Sequence, residues 1–69
     1  MDYRKLEGKI KEVYGPQKAF AEAMGMKQPA LSQRLKGTVE WKTSEIAQAC
    51  DLLEIPLAEA HVYFFTLKV

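Results

Sequence analysis

Helix-breaking residues divide this chain into short segments. Gly15-Pro16, Gly25, Gly37 and Ile55-Pro56 recur along it. Glycine tolerates left-handed backbone, and proline lacks the amide proton that a helix interior needs, so each site marks a helix end. The fold must therefore be built from elements too short to stand alone, stabilised by packing on one another.

The segments between the breakers carry helical periodicity. Over residues 2–14, Tyr3, Leu6, Ile10, Val13 and Tyr14 fall three and four apart, with Asp2 as the expected N-cap. Residues 17–24 put Ala19, Phe20, Ala23 and Met24 on one side, with the small Ala21 beside them. A third helix is expected from 27 or 28 to 36, with Ala30, Leu31 and Leu35 inward. Pro29 falls in its first turn, where a missing N–H costs little. Thr43 or Ser44 is expected to cap a fourth helix that buries Ile46, Ala47, Cys50 and Leu53. Residues 57–64 fit a short fifth helix. The run from Tyr63 to Val69 has the aromatic and β-branched character of extended backbone. The expected fold class is all-α: a compact bundle of about five short helices containing a helix-turn-helix, with an extended C-terminal tail, residues 1–69 forming one domain.

Composition narrows the function. A chain of 69 residues buries only about 60% of its unfolded surface, so it commits its apolar residues to one core or gains burial by association. Its apolar runs fall far short of the roughly 20 residues of a membrane span. Charged residues stand where a signal peptide would have its apolar region, and the expected location is the cytoplasm. One cysteine, Cys50, precludes an internal disulfide, and with His61 as the only histidine no zinc cluster is expected. Cys50 lies on an apolar stripe and reads as a small hydrophobe rather than a nucleophile. No catalytic arrangement or phosphate-binding glycine loop is present, so no enzyme, cofactor or small-molecule ligand is expected. Net charge is only +1, yet residues 1–44 hold nine basic groups against five acidic, while residues 45–69 hold one against four. Such asymmetry suits a protein that meets nucleic acid with one face.

The stretch from Gln17 to Gly37, Q-K-A-F-A-E-A-M-G-M-K-Q-P-A-L-S-Q-R-L-K-G, has the pattern of a helix-turn-helix. A close crossing of two helices needs a small residue, supplied by Ala21. The sharp turn needs a residue that accepts positive φ, supplied by Gly25. Phe20 and Met24 hold the first helix; Leu31 and Leu35 hold the second.

This stretch resembles the helix-turn-helix of lambdoid-type phage repressors and Cro proteins. The whole chain resembles a small family of Cro-like phage repressors through D-Y-R-K-L-E-G-K-I, G-P-Q-K-A-F-A-E-A-M-G-M, G-T-V-E-W-K and the ending Y-F-F-T-L-K-V. The resemblance implies a repressor of phage lysis–lysogeny control, bound to double-stranded operator DNA on the bacterial nucleoid. The second helix of the motif would enter the major groove, N-terminal residues first. Gln28 is the expected main base reader, because an amide can both donate to and accept from adenine. Lys27, Ser32 and Gln33 are further candidates, and Pro29 offers apolar contact to a thymine methyl. Gln17, Lys18, Lys36, Lys42 and Thr43 are expected on phosphates, which set register and affinity rather than sequence. The family acts as homodimers on pseudo-palindromic sites, with half-sites roughly 34 Å apart. Tyr63, Phe64, Phe65 and Leu67 are the expected dimer contact, shared with closure of the monomer core. One departure stands out. The wider class often has an apolar residue three after the position of Leu31, where this chain has Arg34; Leu35 follows instead.

A different class of function fits the same fold: a protein–protein module, such as an anti-repressor or adaptor, without DNA contact. The near-zero net charge favours it. The polar, carboxylate-free face of the second motif helix argues against it, since an adaptor is expected to show an apolar or acidic patch there.

Overall fold

The computed structural model describes residues 3–64. Among them are five α-helices and no strand: α1 (Arg4–Val13), α2 (Gln17–Met24), α3 (Gln28–Leu35), α4 (Thr43–Leu52) and α5 (Ala60–Phe64), with a 3-10 turn over Leu57–Glu59 leading into α5. The all-α bundle expected from the breakers is the observed fold.

Helix α1 lays Leu6 and Ile10 into the core, with Tyr3 at its N-cap position. Asp2, expected as that cap, lies outside the described residues. Val13 was expected on the buried stripe but is 42% exposed. Tyr14 takes the inward place instead, its ring 5.3 Å from that of Phe20.

Helix α2 buries Phe20, Ala21 and Met24 and ends at Gly25, whose φ of 75° is left-handed. There Met26 N–H donates to Ala21 C=O at 2.9 Å and Gly25 N–H to Glu22 C=O at 3.0 Å. This Schellman pair satisfies the carbonyls that a helix end leaves open. Helix α3 buries Leu31 and Leu35 and closes in the same way, Thr38 N–H donating to Gln33 C=O and Gly37 N–H to Arg34 C=O.

Helix α4 begins one residue earlier than a Thr43 cap allows. The N-cap is Lys42, and the Glu45 carboxylate reaches back to accept its N–H at 2.9 Å. That is the acidic half of a capping box. Its buried stripe is Ala49 and Cys50, continued by Leu53, with Ile46 half-buried. Ala47, expected inside, is exposed, because one residue beyond Ile46 turns it about 100° away from the stripe.

Tyr63 and Phe64, which fall both in the helix expected over 57–64 and in the run read as extended, are helical in α5; the rest of that run lies outside the described residues. Phe64 is 1% exposed and meets Trp41 edge to face at 5.0 Å, so burial overrides the strand preference of aromatic residues. The core they close is led by Phe20, Phe64, Leu6, Ile10, Leu31 and Leu53, each worth about 1.5–3 kcal/mol on full burial. Helix α3 packs on α2, α4 crosses α2, and α5 bridges α1 and α4. One face of α3 is left outward.

Candidate functional site

The outward side of α3 is set by helix geometry. Successive residues turn by about 100°, which puts Gln28, Ser32, Lys36, Pro29 and Gln33, in that angular order, within one arc of about 140°. Lys27, Gln28, Pro29, Gln33 and Lys36 are exposed, and Ser32 is half-buried. The opposite arc holds Ala30, Arg34, Leu31 and Leu35, which are half-buried or buried. The structure thus brings Gln28, Pro29, Ser32 and Gln33 together on one surface, with Lys36 among them, while Lys27, the extended N-cap, is exposed just before the helix begins. Among the described residues, none of the hydrogen bonds or ion pairs engages the side chains of Lys27, Gln28, Ser32, Gln33 or Lys36. Their donors and acceptors are left to whatever meets this face.

Pro29 lies at the start of α3, where its missing N–H removes a donor that the helix would not have used. The arc contains two amides, a hydroxyl and one ammonium group but no carboxylate. It can therefore donate and accept along a polar surface without repelling an anion.

The expected phosphate-contacting residues are more dispersed. Lys18 is exposed on α2, and Gln17 is half-buried at its N-terminus. Gln17 borders an open surface cleft of about 390 Å³, shared with Glu7, Ile10, Lys11, Gly15 and Pro16. Lys42 and Thr43 are exposed where α4 begins. Of the expected dimer residues, Phe64 fills the monomer core and presents no free surface, Tyr63 is half-buried, with the Lys5 ammonium 5.7 Å from its ring, and Phe65 and Leu67 lie outside the described residues.

Sequence reasoning missed the tie between the motif and α4. The Arg34 guanidinium grips the Glu45 carboxylate through two parallel bonds, Nε to Oε1 and Nη2 to Oε2, both 3.0 Å. Its Nη1 donates to Ala30 C=O at 3.0 Å. Both side chains are largely covered, with 14% and 16% of their surface exposed. The hydrogen bonds from Arg34 hold the Glu45 carboxyl below its ordinary pKa; desolvation opposes them, and the Lys42 N–H adds a smaller lowering. Arg34 occupies the place where the wider class has an apolar residue, and that substitution was the signal in the sequence. On the far side of the motif, Gln48 Nε2 donates to Met24 C=O at 3.4 Å, tying α4 to the end of α2.

Other titratable groups lie apart from this face. Burial raises the Cys50 thiol pKa, and burial with the charge of Glu40 raises that of the Tyr3 phenol. Among the described residues no cluster of His, Cys, Asp and Glu could hold a metal ion, and no helix is long and apolar enough to cross a membrane.

No curated protein matches this chain. A solved structure that does is titled the solution structure of the modulator of repression (MOR) of the temperate bacteriophage TP901-1 from Lactococcus lactis. It is 43% identical, with a TM-score of 0.84, over 99% of this chain and 92% of that one. Residues 1–67 match the family described as "Protein of unknown function (DUF739)", and the chain belongs to that family.

Proposed function

We propose that this protein regulates a phage repression circuit by reading operator DNA with the outward arc of α3. The observation that carries this reading is the arc itself: Gln28, Gln33 and Lys36 exposed together, free of internal partners and without a carboxylate. Gln28 at the start of α3 is the main base reader, with Lys27, Pro29, Ser32 and Gln33 around it. Gln17, Lys18, Lys36, Lys42 and Thr43 contact phosphates. The protein acts as a Cro-like repressor, a homodimer on a pseudo-palindromic site in the bacterial cytoplasm, and performs no catalysis.

A second reading is favoured by two observations: the matching structure is titled a modulator of repression, and the net charge is only +1. In it, the same arc docks on a repressor protein in place of DNA.

Selection of duplexes from a random pool, followed by a salt titration, separates the two. DNA reading predicts an enriched inverted repeat. Lys18, Lys36 and Lys42 of two protomers give about six phosphate contacts, so affinity should fall about a thousandfold between 50 and 200 mM salt. No enrichment at low salt, with capture of the purified repressor of the same phage, would establish the second reading instead.

A further inference from the structure

Helix α3 is held to the body by two unlike attachments. Leu31 and Leu35 seat it on α2 through apolar contact, which is non-directional and sets a rotation less sharply than a hydrogen bond does. The fork between Arg34 and Glu45 is directional. It requires two parallel bonds in one plane, and its far end is fixed because Glu45 also accepts the N–H of Lys42 at the start of α4. Its near end is fixed because Arg34 donates to Ala30 C=O on its own helix.

We propose that Arg34 and Glu45 are positioning residues that set the rotation of α3 about its axis, and through it the sequence selectivity of the outward arc. The inference rests on the DNA-reading function proposed above. Side-chain tips stand about 5–6 Å from a helix axis, so a rotation of about 20° moves them about 2 Å. The donor–acceptor distances of an N–H···O bond span only about 0.5 Å. A rotation of that size therefore breaks a two-bond contact from Gln28 to a base. The arginine contacts no DNA in this scheme; its guanidinium is already committed.

The test uses the full-length protein, the duplex selected by the wild type, and a base-shuffled duplex of equal length. The readout is the ratio of the two dissociation constants. Arg34→Lys keeps the charge but loses the planar fork. It should lower the ratio about thirtyfold, the smaller end of what two such base contacts, one per half-site, contribute, with affinity for the shuffled duplex unchanged. Glu45→Gln, an independent variant should Arg34→Lys not fold, should lower the ratio as well, while the lost negative charge raises affinity for both duplexes. A ratio preserved within twofold in the folded variants, with only the melting temperature lowered, makes the fork a stabilising tie and overturns the proposal. If the wild type selects no duplex, the DNA reading falls and this inference with it; if it selects one and the variants keep the ratio, this inference alone falls.

Discussion

The two seams that hold α3 differ in kind. Its seam with α2 is apolar, made by Leu31 and Leu35 against a helix that buries Phe20, Ala21 and Met24, and it turns on the left-handed Gly25. Its link to α4 is ionic, made by Arg34 and Glu45 across the segment from Gly37 to Lys42. The first draws its strength from area removed from water, the second from geometry. Stability should therefore reside mostly at the α2 seam and orientation at the α4 link, and substitutions on the two sides should fail differently.

The largest effect belongs to the apolar seam. Leu31 is fully buried, and Leu31→Ala should cost about 2–5 kcal/mol through lost burial and the cavity left behind. In a domain of this size urea unfolding should show it plainly, and a loss under 1 kcal/mol would mean that the seam is not where stability resides.

Gly25→Ala comes next. An added Cβ meets nothing within 4 Å, so the cost is the left-handed backbone alone, about 1–2 kcal/mol. Thermal unfolding should register it. Unchanged stability would show that the turn can relax.

The ionic link should respond to acid. Because the folded pKa of Glu45 lies below its ordinary 4.5, its contribution is fully present above that value and is lost as pH falls through the lowered one. Hydrogen bonds to a charged group are worth about 1.5–3 kcal/mol, and this pair retains some exposure, so the lower end applies. Glu45→Gln should flatten stability against pH below about 5. An unchanged acid limb would mean that the pair contributes nothing.

The smallest effect lies outside both seams. Glu54 takes φ of 56° after α4, the conformation that glycine supplies at Gly25. Glu54→Gly should raise stability by about 0.5–1 kcal/mol, strain relief exceeding the added chain entropy. A loss instead would mean that the Glu54 side chain does more than occupy a strained turn.

The apolar seam was legible in the sequence because its determinants are local. Gly25, Ala21, Leu31 and Leu35 announce themselves by type and by spacings of three and four, and the boundaries of α2 and α3 follow. The ionic link was not legible. Arg34 and Glu45 are 11 residues apart, on two helices with no shared periodicity, and only the missing apolar residue at Arg34 hinted at it. Val13 and Ala47 were placed inside because each is apolar and near a stripe; the inward turn of Tyr14 and the 100° step from Ile46 to Ala47 decided otherwise. Tyr63 and Phe64 look like strand residues taken alone. Burial of Phe64 against Trp41, more than 20 residues earlier in the chain, is a tertiary fact that propensity does not contain. The outward arc was legible as a set of residues, since Gln28, Pro29, Ser32 and Gln33 are what remain once the inward positions are assigned.

The central claim is that the outward arc of α3 reads DNA, and Gln28→Ala tests it most directly. The substitution removes an exposed amide that engages no other described residue, so the fold should be untouched. Duplex selection with wild type and variant in parallel should show preference lost at one base pair per half-site, with other positions and the salt dependence retained. An identical selected sequence from both proteins would contradict the account.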